Sequence, residues 1–229
     1  MVPERRALSA GMWVRPSLFW VMWGVGLVLA LALSSAASAS AYFPGDLRLA
    51  VAIQAAGFPL ALADFFNTIA AGVPAFVVVL VVIAVFVGVH RRDLAVPMVV
   101  GAMAALAPVP MKLIVGRPRP LPDLVHVVAM LQDLSFPSGH AMYAMLSYGL
   151  LAVLLEATTM PLLARRPLQV GCALVVVLVG VSRIVVGAHW PSDVLGGYVW
   201  GGLIASALVR LAGPANARES AAADGAAAR

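Results

Sequence analysis

Uninterrupted stretches without Asp, Glu, Lys or Arg divide this chain into segments of membrane-crossing length. A charge near the bilayer centre costs a few kcal/mol even on lenient scales, so such stretches act as rulers. They predict crossings over residues 18–39, 65–89, 94–116, 134–155, 168–188 and 191–211. Within the second, residues 77–87 are almost wholly β-branched and aliphatic, a pattern that reads as a strand in water but is ordinary for a helix in lipid. The stretch 49–63 is shorter and contains Gln54, Gly57 and Pro59, so it is expected to lie at the interface rather than to span. The expectation is an all-α, six-transmembrane-helix bundle over residues 17–212. A short segment, 1–16, precedes it, and an Ala-rich tail, 213–229, is expected to be disordered.

Composition supports this reading. Of 229 residues, 62% are hydrophobic and 11% charged, less than half the charge of an average soluble domain. A net charge of +5 would suggest nucleic acid in a soluble protein. Sorting the basic residues by loop removes that suggestion. Arg5, Arg6 and Arg15 precede the first span, Arg91 and Arg92 join the second to the third, Arg165 and Arg166 join the fourth to the fifth, and Arg210 and Arg218 follow the sixth. All fall on one face, which the positive-inside rule makes cytoplasmic, together with both termini. Small residues between 34 and 41 also offer a signal-peptidase-like site, although the apolar run before them is long for a signal peptide. Cys172 lies mid-span and, as the only cysteine, excludes an intramolecular disulfide.

Arg48, Lys112, Arg117, Arg119 and Arg183 are left on the opposite face, where the rule disfavours them. Lys112 is the only lysine. Prolines 118 and 120 end the third span in an extended exit, from which Arg119 can turn back toward Lys112; Arg117 is free to point at lipid headgroups. At the start of the fourth span, Pro137-Ser138-Gly139-His140 is a helix-opening set whose free amides suit a phosphate, with His140 one turn inside to exchange a proton. Near the end of the fifth, Ser182-Arg183 precedes His189 and Asp193. Asp193 is close enough in sequence to accept a hydrogen bond from His189, fixing its tautomer and leaving the other nitrogen as a nucleophile. The structural alternatives are a snorkelling lysine, a capped helix and an Arg–Asp tie between helices. A metal is disfavoured, because the surrounding cations would repel a divalent ion.

Together, Lys112 with Arg119-Pro120, then Pro137-Ser138-Gly139-His140, then Ser182-Arg183 with His189 and Asp193, resemble the three-part signature of the type 2 phosphatidic acid phosphatase (PAP2) superfamily of integral membrane lipid phosphatases. The resemblance covers all six spans, with no departure at a motif position. It implies that Lys112, Arg119, Arg183, Ser138 and the Gly139 amide hold phosphate. It also implies that His189 attacks phosphorus to form a phosphohistidine, that Asp193 orients His189, and that His140 protonates the leaving group. No metal or cofactor is implied, nor nucleic acid or an obligate protein partner; the partners are a lipid phosphate and the bilayer. The expected activity is hydrolysis of phosphatidate, phosphatidylglycerol phosphate or undecaprenyl diphosphate on the extracytoplasmic leaflet of the cell membrane. Lipid-to-lipid phosphotransfer and non-catalytic lipid binding are the alternatives.

Overall fold

Proline at the first helical positions pre-sets the backbone for helix entry, and the chain uses it repeatedly: Pro16, Pro108 and Pro191 each open a helix. The computed structural model describes residues 15–227, and every regular element among them is helical. In chain order these are α1 (Pro16–Ser38), α2 (Asp46–Ala55), α3 (Leu60–Ile69), α4 (Gly72–Gly88), α5 (Arg92–Ala104), α6 (Pro108–Val115), α7 (Gly139–Ala144), α8 (Leu150–Leu154), α9 (Leu162–Val185) and α10 (Pro191–Ala227). A π turn over Met145–Gly149 joins α7 to α8. Most of the segment 1–16 lies outside the described residues. The tail expected to be disordered from residue 213 continues the helical backbone of α10 to Ala227, in keeping with the high helix propensity of alanine.

Among the described residues, five helical segments are long and apolar enough to cross a membrane: Ser17–Ser38, Arg92–Val115, Gly139–Ala157, Leu162–Val185 and Pro191–Ala212. Their outer faces carry exposed large apolar side chains such as Val28, Leu113, Ile114 and Leu163, as expected where the solvent is lipid. The chain is a multi-pass membrane protein.

The second predicted crossing needs correction. Residues 65–89 are not one helix. The chain breaks at Ala70–Ala71 and restarts at Gly72, whose φ of +57° lies in the left-handed region, where glycine carries no Cβ penalty. Residues 65–69 instead belong to α3, which meets α2 at 116°, and α4 has only 17 residues.

The fourth predicted span is the centre of the molecule. More than half of Gly139–Ala157 is buried, with Met142, Leu146, Leu150 and Leu154 packed against Leu94 and Met98 of α5 and Val209 of α10. Glycines of α10 allow the close approach. A Cβ at Gly196 would lie 2.4 Å from the Phe136 ring, and one at Gly197 would lie 2.6 Å from the Ser138 carbonyl oxygen. The start of α7 and the start of α10 are thereby brought together, and the Ser138 amide donates to the Asp193 carbonyl at 3.0 Å.

Candidate active site

Four helix ends and the loop after α6 converge on His189. Lys112 stands in the last turn of α6, Gly139 and His140 in the first turn of α7, Arg183 in the last turn of α9 and Asp193 in the first turn of α10. Arg119 reaches the site from the loop after α6: its Nη1 donates to the Ala188 carbonyl and lies 3.2 Å from His189 Nε2.

That last contact assigns the imidazole. A guanidinium has donors only, so Nε2 faces it with its lone pair, and in the neutral ring the proton then sits on Nδ1. Nδ1 points to the Ser135 hydroxyl at 3.4 Å and to Asp193 Oδ2 at 3.7 Å. The expected direct hydrogen bond from His189 to Asp193 is thus replaced by a longer contact. The carboxylate oxygen already accepts from Ser135 Oγ at 2.5 Å and from the Trp190 amide at 2.8 Å. His189 is buried, and this burial holds its pKa well below the ordinary imidazole value; Arg119, Arg183 and Lys112 push it the same way, against the pull of Asp133.

Beneath His189 runs a buried ionic network. Arg117 was expected to be free to reach headgroups, but it is 1% exposed. Its Nη1 donates to Asp193 Oδ1 at 2.6 Å and to Ser192 Oγ at 2.7 Å, and its Nη2 donates to Asp46 Oδ2 at 3.0 Å. Phe43 covers the guanidinium, with the ring centroid 4.5 Å from Cζ. Two carboxylates draw the arginine inward, where a headgroup would have left it at the surface. Asp46 also accepts from the amide and hydroxyl of Ser192, which ties α2 to the start of α10.

Above His189 the three candidate phosphate-binding cations gather. Lys112 Nζ donates to Asp133 Oδ2 at 2.5 Å, and Arg119 donates to Asp133 Oδ1 at 2.7 Å through Nη2 and at 3.1 Å through Nε. The two cations meet, as expected, but through a carboxylate. Burial alone would raise the Asp133 carboxyl; the hydrogen bond from Lys112 and the charges of Arg119 and Lys112 outweigh it and hold the pKa at about 2. Arg183 Nη1 donates to Asn67 Oδ1 at 2.9 Å, an acceptor that also receives the Ser182 hydroxyl.

Among the described residues, the buried side-chain nitrogen and oxygen atoms with no hydrogen-bond partner are Ser138 Oγ, Arg183 Nε, Trp190 Nε1 and Arg165 Nε. Such atoms are uncommon in folded proteins and call for an explanation. The first two belong to residues that the motif assigns to phosphate. Gly139 opens α7, where the first amides have no partner within the helix. No three His, Cys, Asp or Glu side chains among the described residues come together as a metal site would require. Lys112, Asp133, Gly139 and His140 also line one end of a cavity of about 670 Å³, whose remaining wall is largely apolar and includes Ala71, Phe76, Val109 and Leu113.

The motif reading did not single out Arg117, Asp46, Asp133, Ser135 and Asn67. Charge balance was the available signal for Asp133, since three clustered cations need a counter-anion. The Arg117–Asp46 pair is separated by 71 residues and leaves no local signal.

The PAP2 superfamily model matches residues 93–216. Phosphatidylglycerophosphatase B of Bacillus subtilis (strain 168) is 36% identical over 88 residues, which are 38% of this chain and 42% of that protein, so the match spans about two fifths of that relative. The fold resembles a crystal structure described as the first transmembrane PAP2 type phosphatidylglycerolphosphate phosphatase from Bacillus subtilis. That comparison has a TM-score of 0.66 at 22% identity and covers 81% of this chain and 93% of that one. Aquifex aeolicus LpxE aligns with a TM-score of 0.58 at 25% identity over 73% of this chain and 96% of that one.

Proposed function

The chain belongs to the PAP2 superfamily, and from that premise we propose that it is a membrane lipid phosphate phosphatase working through a phosphohistidine on His189. The observation that carries this reading is the environment of Nε2. The nitrogen faces the donor-only guanidinium of Arg119, the charges of Lys112 and Arg183 act on the same ring, and Ser138 Oγ and Arg183 Nε are buried without partners. A neutral, oriented imidazole among cations and amides suits phosphoryl transfer, where positioning and charge stabilisation supply most of the acceleration. In the first step His189 Nε2 bonds to phosphorus as the bond to the lipid oxygen breaks, and His140 gives that oxygen a proton. In the second step His140 takes a proton from water as the water oxygen bonds to phosphorus and the bond from phosphorus to His189 Nε2 breaks, which releases inorganic phosphate and restores both histidines. Arg117, Ser135 and the Trp190 amide hold Asp193, whose Oδ2 stands 3.7 Å from the Nδ1 side of the ring.

The apolar cavity beside His140 fits a lipid chain. Phosphatidate, phosphatidylglycerol phosphate and undecaprenyl diphosphate are the candidate substrates; similarity to a phosphatidylglycerophosphatase supports including the second. In a phosphate-release panel of purified protein against these three, at least one is expected to turn over, and His189→Ala is expected to abolish release while the protein remains folded. Release that persists in that variant defeats the mechanism. The reaction proceeds without a metal, so excess chelator is expected to leave turnover unchanged; loss restored by Mg²⁺ would refute this. Lipid-to-lipid phosphotransfer through the same intermediate is the second reading, and it would appear as a phosphorylated lipid acceptor in place of free phosphate.

Counting α4 as a crossing gives six: α1, α4, α5–α6, α7–α8, α9 and α10. Both termini are then cytoplasmic and the site lies at the extracytoplasmic face. Arg91, Arg92, Arg165 and Arg166 gather at the opposite ends of the spans, where Arg91 donates to the Ala157 carbonyl and Arg165 pairs with Glu156.

A further inference from the structure

Asp133 is not part of the family signature, yet it engages two of the three cations assigned to phosphate. Its carboxylate bonds Lys112 Nζ and the Nε and Nη2 of Arg119, and it shares the cavity wall with Gly139 and His140. The side chain is 57% exposed and stands in the non-helical segment between α6 and α7, where the Asp133 carbonyl also accepts from Arg119 Nε at 3.0 Å. Its low pKa keeps it charged across the working pH range, and a competing anion rather than acidification would be needed to release it.

We infer that Asp133 is an internal competitor for the phosphate site, one that displaces inorganic phosphate after each turnover. This rests on the phosphatase reading above.

Charge and unequal binding energy together favour this displacement. Lys112, Arg119 and Arg183 face a dianionic product at close range in a partly dehydrated site, an arrangement that would hold free phosphate tightly. A tethered carboxylate bonding to the same donors weakens every phosphate ligand by one common factor. The lipid substrate withstands that factor because its chains add burial in the apolar cavity and because the membrane concentrates it. Inorganic phosphate has neither advantage. The competitor therefore falls in effect on product, and on phosphate arriving from the aqueous side, while the substrate still binds.

The experiment compares purified wild type with Asp133→Asn, which matches the side chain in size and removes its charge. Inorganic phosphate is the probe, and its affinity is measured by calorimetry without substrate. Asp133→Asn is expected to bind phosphate about tenfold tighter, the scale of a charge-assisted hydrogen bond discounted for exposure. Its inhibition constant for phosphate during lipid hydrolysis should fall by the same factor, with the first turnover unslowed and later ones slower. Asp133→Glu, which restores the charge, should return phosphate affinity toward wild type. Unchanged or weaker phosphate binding in Asp133→Asn overturns the inference and would make Asp133 a brace for the two cations. Thermal unfolding establishes that each variant is folded, and Asp133→Ser serves as a second uncharged variant. Failure of both proteins to release phosphate from any lipid defeats the phosphatase reading, whereas the calorimetric affinities still decide the competition.

Discussion

Arg117 carries a charge into the interior, and two carboxylates meet it there. Removing one partner of a buried ion pair leaves the other uncompensated, at a cost of about 3–5 kcal/mol. Arg117→Met is therefore expected to lower the thermal unfolding temperature in detergent sharply. Arg117→Lys should recover little, because a single ammonium does not reproduce the fork that spans Asp46 and Asp193. His189 tests the same interior by pH. In the unfolded chain an imidazole takes up a proton below about pH 6.5, but in the folded chain burial and the nearby cations keep it neutral well below that. The unfolded state then binds more protons, so stability falls as pH drops through this range. Unfolding curves between pH 8 and pH 5 should show a smaller loss in His189→Gln than in wild type. An equal loss in the two would mean that His189 is protonated in the folded protein. At this scale the signature singled out Lys112, Arg119, Ser138, His140, Arg183, His189 and Asp193, because each is a polar residue set at fixed spacing in an apolar sequence. Arg117 carried the same kind of signal but the wrong inference, since its fate depends on Asp46, which only the folded chain brings near.

Element boundaries were legible where proline or charge marks them and illegible where neither does. The uncharged run 65–89 hides a break at Ala70–Ala71, because apolar composition signals lipid, not helix continuity. The consequence reaches the site, since the turn of α3 on the near side of that break presents Asn67 to Ser182 and Arg183. Glycines on the helices framing the site make two contrasting predictions. At Gly197 an added Cβ would lie 2.6 Å from the Ser138 carbonyl oxygen. Gly197→Ala must therefore push the start of α7 away from α10, costing about 1–3 kcal/mol of stability and most of the phosphate release. At Gly139 the nearest atom to an added Cβ is Pro108 Cβ at 3.7 Å, an ordinary contact. Gly139→Ala is thus expected to leave thermal unfolding unchanged while lowering kcat/KM roughly 10- to 100-fold, because the methyl group would narrow the cavity end proposed for phosphate. If Gly139→Ala instead unfolds the protein, its role is packing and the helix start is not the phosphate cradle. Measuring both unfolding and phosphate release on the two variants separates these outcomes.

Across the whole molecule, the sequence reading sorts most basic residues into those expected to label a face of the membrane and those expected to serve the site. That division was legible from hydropathy and arginine placement, because both follow from the cost of moving charge through lipid. What it left open is the counting of α4, whose 17 residues span only about 26 Å at 1.5 Å per residue, against a hydrocarbon core of about 30 Å. If α4 did not cross, the parity of every later helix would reverse, and the site would face the cytoplasm whenever α1 keeps its orientation. A direct test places single cysteines at Asp123, in the loop between α6 and α7, and at Arg92, at the start of α5; both positions are exposed. Cys172 is buried and serves as an internal silent reference. An impermeant thiol reagent applied to intact cells is expected to label Asp123→Cys and spare Arg92→Cys, with both labelled after the membrane is permeabilised. The reverse pattern in intact cells would invert the topology and place the phosphate site on the cytoplasmic leaflet. The site geometry would be untouched, because Lys112, Arg119, His140, Arg183 and His189 share one end of the bundle whichever way it faces.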